Sequence, residues 1–118
     1  MTEFADTSLD FCKICLGWDD ADTFTIGRGH LVVRNLSATE GAGKVFNVSD
    51  LNAVMEAVRG WCNDHRHQRY YLEINTTTMW NVHVCFGGAT VGFGSSSLLA
   101  HALLTACVEA ARKLNRTA

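Results

Sequence analysis

The chain has 118 residues, of which 47% are apolar and 19% charged, with a formal net charge of -2. That apolar share is ordinary for a folded globule, so a single domain over 1–118 with a real core is expected and extensive disorder is excluded. The weak negative charge argues against a dedicated nucleic-acid binder, and no run of about 18 apolar residues offers a membrane span.

Five cysteines occur, Cys12, Cys15, Cys62, Cys85 and Cys107. An odd number cannot close into pairs. The acidic start, Met1-Thr2-Glu3-Phe4-Ala5-Asp6, lacks the basic and apolar regions of a signal peptide. Reduced thiols in a cytoplasm are therefore the expectation. Proline is absent, which leaves the turns to Gly, Asn, Asp, Ser and Thr.

Residues 1–6 are expected to fray. From Thr7 to about Leu16, apolar residues recur at three- and four-residue steps and predict a helix, capped by Asp6 or Thr7 and stopped by Gly17. Residues 18–30 read as a polar loop with a short strand at 24–26. Residues 30–35 read as a strand, and 36–46 as an exposed loop. Leu51, Val54, Met55, Val58, Trp61 and Cys62 form the clearest helical stripe, with capping oxygens offered by Asn47, Ser49 and Asp50. Residues 70–74 and the alternating run 80–86 predict two strands joined at 75–78. Gly87-Gly88 breaks the pairing, and 89–93 returns as a third strand. The last helix is expected to begin near 95–97, with Leu99, Leu103, Ala106, Ala110 and Leu114 on its stripe. The order α-β-α-β-β-(β)-α describes an α+β domain: a small, mainly antiparallel sheet of three to four strands packed with about three amphipathic helices.

Four constellations carry candidate chemistry. Cys12-x-x-Cys15 suits a redox pair or half a zinc site. It lies inside a helix, however, with only His65 and His67 as further ligands in type, so core thiols are favoured and no metal or other cofactor is expected. Residues 87–97 form a Gly-rich turn running into a helix start, where free N–H groups attract an anion. Gly92, Gly94, Ser95 and Ser96 are the candidate ligand-binding residues there, with Arg69 or Arg112 as phosphate partners. No Gly-Lys-Ser/Thr follows, and a plain turn with capping serines stands against that reading. Arg59, Arg66, His67, Arg69, Tyr70 and Tyr71 interleave basic and aromatic residues. Residues 51–118 hold six Lys/Arg against four Asp/Glu, too small a surplus to predict nucleic-acid binding. Asp19, Asp20 and Asp22 lack the glycine and closing glutamate of a calcium loop. Flanked by Trp18 and Phe24, they form a candidate protein interface suited to a basic patch. No catalytic set emerges. Gly92-Phe93-Gly94-Ser95-Ser96 misses Gly-x-Ser-x-Gly, His83 and His101 lie within regular elements, and an enzyme is not expected.

Leu16-Gly17-Trp18, the segment from Phe46 to Val54 and the segment from Leu98 to Cys107 together resemble small bacteriophage and prophage proteins described as an alpha-beta-alpha sandwich domain. The likeness runs from about Leu9 to Leu114. The long polar stretch 18–45 and the Gly-rich 87–94 depart from it. The resemblance implies a phage-encoded accessory role in the cytoplasm of a bacterial host and supplies no catalytic residues. The leading expectation is a non-enzymatic protein that occupies a host protein, most concretely an inhibitor of an anti-phage defence system. The alternative is a small-ligand binder that sequesters a nucleotide signal through the Gly/Ser stretch. A homodimer serving assembly is a third reading.

Overall fold

The computed structural model of the chain describes residues 2–27, 30–35, 45–64 and 70–117. Three helices alternate with two groups of three strands. α1 spans Thr2–Ile14. It is followed by β1 (Ala21–Ile26), β2 (His30–Asn35) and β3 (Val45–Asn47), then by α2 (Leu51–Asp64). β4 (Tyr71–Thr76), β5 (Trp80–Phe86) and β6 (Ala89–Ser96) lead into α3 (Leu99–Thr117). The α+β class and the predicted succession of elements hold. The strands form two antiparallel sheets, β1-β2-β3 and β4-β5-β6, rather than the one sheet expected.

The second sheet follows its sequence signals closely. In β5, Val82 and Val84 are buried while Trp80 is exposed. Gly87 and Gly88 adopt φ of 61° and 84° between the paired residues Phe86 and Ala89. Two positive φ angles in a two-residue connection are what a twisted hairpin needs, and glycine adopts them without steric cost. α3 lies across β5 and β6 and also packs on α1 and α2. It is therefore buried on more than one face: Leu103, Leu104, Ala106 and Cys107 are all fully buried.

The approach of α3 to β6 is set by missing side chains. A Cβ on Gly92 would collide with the Ala106 carbonyl oxygen and with Ala110, and one on Gly94 with the Ala102 carbonyl oxygen. Alternate positions on a strand and every fourth position on a helix thus present two matching rows of small residues. Their fit brings backbone against backbone.

The first half of the chain departs from the sequence reading in three places. Residues 2–6 are helical rather than frayed, because Phe4 packs on the core and meets the His101 ring edge-on at 5.6 Å. The supposed loop at 18–30 holds the full strand β1, paired with β2 from Ala21↔Asn35 to Ile26↔His30. The end of the supposed exposed loop 36–46 is β3, with Phe46 buried opposite Val33; residues 36–44 lie outside the described residues. Gly17 does end the first helical segment. Its φ of 72° turns the chain so that the Trp18 N–H reaches the Cys12 carbonyl at 3.0 Å.

α1 and α3, from opposite ends of the chain, meet along their length. Thr7, Asp10 and Cys15 face His101, Arg112 and Cys107 respectively. Among the described residues no helix is long and apolar enough to cross a membrane.

Candidate functional site

One opening in the described structure is an apolar groove of about 640 Å³. One wall is a face of the first sheet, with Thr23 and Thr25 of β1 and Leu31 of β2. The others are the starting ends of all three helices: Phe4 and Ala5 from α1, Val48, Ser49 and Leu51 at α2, and Leu98, Leu99 and Ala100 at α3. Among the described residues no charged side chain lines it, and the side-chain polar groups there are three hydroxyls. One of them is engaged, because the Ser49 Oγ accepts the Leu31 N–H at 2.8 Å and so ties the start of α2 to β2. Asp50 caps α2 by accepting the Asn52 N–H at 3.0 Å. Leu51 and Leu98 keep 43% and 47% of their surface exposed, so the groove is shallow and open. Its volume falls within the range of about 300–1,000 Å³ found for binding clefts.

Beside the groove runs a chain of hydrogen bonds that joins α1 to the β6–α3 junction. Thr7 Oγ1 donates to the Glu3 carbonyl at 2.9 Å, so it must accept from His101 Nε2 at 3.1 Å. His101 Nδ1 then accepts from Ser96 Oγ at 3.3 Å, whose oxygen accepts the Leu98 N–H at 3.2 Å. This order corresponds to the tautomer protonated at Nε2. A Ser–His contact invites comparison with a nucleophile and base. Here, however, the serine is buried, its oxygen is spent on a helix start, and a threonine sits behind the ring where an imidazolium would need a carboxylate. The chain's chemistry is to hold three elements together.

Two smaller clefts lie elsewhere on the described surface. One of about 410 Å³ lies between α1 and α3. Its charges are paired, Arg112 across it on Asp10 at 3.0 Å and Lys113 along α3 on Glu109 at 3.4 Å. The other, about 330 Å³, lies between α2 and β4.

The structure disperses the residues singled out from the sequence. Gly92 and Gly94 are buried within β6 beneath α3, so they form no open loop around an anion. Ser95 Oγ donates to Asn81 Oδ1 at 2.9 Å, and Ser96 belongs to the chain just described. Arg112 is engaged by Asp10. Arg69, like His65 and His67, lies outside the described residues. The acidic cluster also divides. Asp19 and Asp20 are exposed in the turn before β1, while Asp22 lies on β1 opposite Arg34. Trp18 is half-buried and packs on the core. Phe24 lies on β1 beneath the Arg34 guanidinium, 5.5 Å from its ring centre.

Cys12 and Cys15 stay in the α1 interface. Cys15 Sγ lies 3.8 Å from Cys107 Sγ on α3. Burial, then the nearby Cys15, pushes the Cys12 thiol up to about 12. The same causes, in the same order, push Cys62 up to about 11. Cys107 is raised well above its ordinary value, by burial first and then by Cys15 and Cys62. Such thiols stay protonated at neutral pH, and a protonated thiol is a poor nucleophile. Among the described residues no group of three His, Cys, Asp or Glu is placed to hold a metal ion.

Sequence reasoning misses the groove. It counts Leu51 on the apolar stripe of α2 and does not single out Leu98 for exposure. The signal is positional: each leucine sits at the start of a helix, where a stripe meets the end of its partner surface. Comparison with family models, with curated proteins and with solved structures found no match.

Proposed function

We propose that this chain is a non-enzymatic binding module that occupies another protein through the apolar groove between the first sheet and the helix starts. The observation that carries the reading is the groove itself: an open, uncharged, pre-formed hollow with two leucines more than two-fifths exposed on its rim. Exposed apolar surface gathered in a concavity gains free energy when a partner covers it. The resemblance to small phage proteins supports the finer form of the proposal, in which the partner is a host protein and the outcome is inhibition of an anti-phage defence system.

Photocrosslinking tests the binding reading. A photoreactive residue in place of Leu51, in the full chain expressed in a bacterial host, is expected to capture one protein in high yield. The same residue in place of Phe93, on the far sheet, is expected not to. Equal capture at both positions, or capture at neither, rejects the groove as the gripping surface. A plaque assay tests the finer form: expression should make defended cells permissive to phage, and Leu98→Glu should abolish that effect.

A further inference from the structure

We infer that Cys15 and Cys107 form an oxidation site, at which a hydroperoxide converts two neighbouring thiols into a disulfide that clasps α1 to α3. Nothing in this site depends on the groove or on what fills it.

The two sulfurs lie 3.8 Å apart across the seam between the helices. A disulfide needs about 2.05 Å, so the pair must close by roughly 1.8 Å. Cys15 has the freedom for this. It follows Ile14, the last residue of α1, in the turn where Gly17 takes its φ of 72°. The spacing Cys12-x-x-Cys15 offers one partner, and the fold brings up another, 92 residues away along the chain.

The two thiols differ as a stepwise oxidation requires. Cys15 is half-buried, whereas Cys12, Cys62, Cys85 and Cys107 are all buried. Oxidants reach accessible thiols first. Cys107 is closed off from solvent, but it faces Cys15. The Cys15 S–H donates toward the Cys107 carbonyl at 3.9 Å, which leaves the Cys107 S–H to point at the Cys15 sulfur.

With hydrogen peroxide, the Cys15 sulfur attacks one oxygen. An S–O bond forms, the O–O bond breaks, and the displaced oxygen leaves as water with the Cys15 proton. Cys15 is then a sulfenic acid. The Cys107 sulfur attacks the Cys15 sulfur. An S–S bond forms, the S–O bond breaks, and the hydroxyl leaves as a second water with the Cys107 proton. Two electrons pass from the sulfurs to the peroxide oxygens. Burial holds Cys107 protonated and makes it slow toward anything in solution. Contact with an electrophilic sulfur offsets this, since the encounter is already made. The product ties the first helix to the last, and a cross-link between such distant residues restricts the unfolded chain.

The test treats the reduced full chain with hydrogen peroxide, alkylates the remaining thiols and maps a non-reduced digest by mass spectrometry. Cleavage after Lys13 separates Cys12 from Cys15, and cleavage after Phe86 separates Cys85 from Cys107. The linkage of Cys15 to Cys107 is expected in at least tenfold excess over any other, and urea should abolish that preference. The thermal midpoint of the oxidised chain should exceed that of the reduced chain by about 5 °C or more, and dithiothreitol should reverse the rise. Cys15→Ser should show neither the linkage nor the rise. In Cys107→Ala, dimedone, which adds to sulfenic acids, should label Cys15. Where Cys107→Ala is too unstable to read, Cys15→Ser carries the test alone.

Linkage of Cys15 to Cys12 or Cys62 overturns the inference. So does a disulfide-linked dimer on a non-reducing gel, or a treated chain whose thiols all remain free. A Cys15–Cys107 linkage that leaves the thermal midpoint unchanged overturns the clasp.

Discussion

The two sheets meet the helix layer in opposite ways. β6 offers glycine where α3 offers alanine, and the surfaces close until backbone touches backbone. β1 and β2 offer Thr23, Thr25 and Leu31 where the three helices begin, and a groove of about 640 Å³ is left between them. Matched rows of small residues make a sealed interface. Helix starts, whose stripes run out there, make an open one. The sealed half closes over its apolar surface, and the open half leaves apolar surface exposed.

Gly94→Val attacks that contrast most directly. The added side chain meets the Ala102 carbonyl and cannot rotate away from it, so α3 must lift off its sheet. The expected loss exceeds the roughly 1–3 kcal/mol usual for overpacking and is measured by urea denaturation with circular dichroism. A loss below about 1 kcal/mol would mean that the interface is not sealed.

Truncations sharpen the comparison. Leu103→Ala, in the fully buried centre of α3, should destabilise by about 2–5 kcal/mol. Leu31→Ala should cost less than half of that by the same measurement, because Leu31 already borders open space.

Alkaline pH separates the halves again. Cys12, Cys62 and Cys107 titrate above their ordinary value of 9.0 in the fold. Above about pH 9 the unfolded chain loses these protons first, so unfolding releases protons and stability falls as pH rises. The stability these groups contribute is complete below pH 9.0 and declines as pH climbs toward about 12. Thermal melts should show this decline, and Cys107→Ala should flatten it while lowering stability at neutral pH. The smallest expected effect is that of Leu98→Glu: on a half-exposed rim it should shift stability by no more than about 0.5 kcal/mol, which makes it a clean probe of binding.

What the sequence discloses follows the same division. The second sheet is legible because its signals are local. Val82 and Val84 alternate with polar neighbours, and Gly87-Gly88 fits a tight turn. In the first sheet β2 is legible, but β1 is polar and β3 has only three residues. Ala21, Asp22, Thr23 and Thr25 become strand only by pairing with β2, and Phe46 only by finding Val33. The segment from Thr2 to Asp6 becomes helix because His101, far along the chain, offers its ring to Phe4. Gly92 and Gly94 look like loop residues because glycine is scarce in strands. The competing sign is the alanine at 102, 106 and 110, whose spacing matches theirs across the interface. The groove is invisible to any local pattern, since it is built from several elements at once.

The seam between α1 and α3 bears on how the chain comes into being. The partners of Thr7 and Cys15 lie 94 and 92 residues downstream. The first sheet covers part of the α1 stripe, as in the tilted contact of Phe11 with Phe46, but the rest of it waits for a segment that lies far along the chain. Closing so long a loop costs chain entropy that only the completed seam offsets.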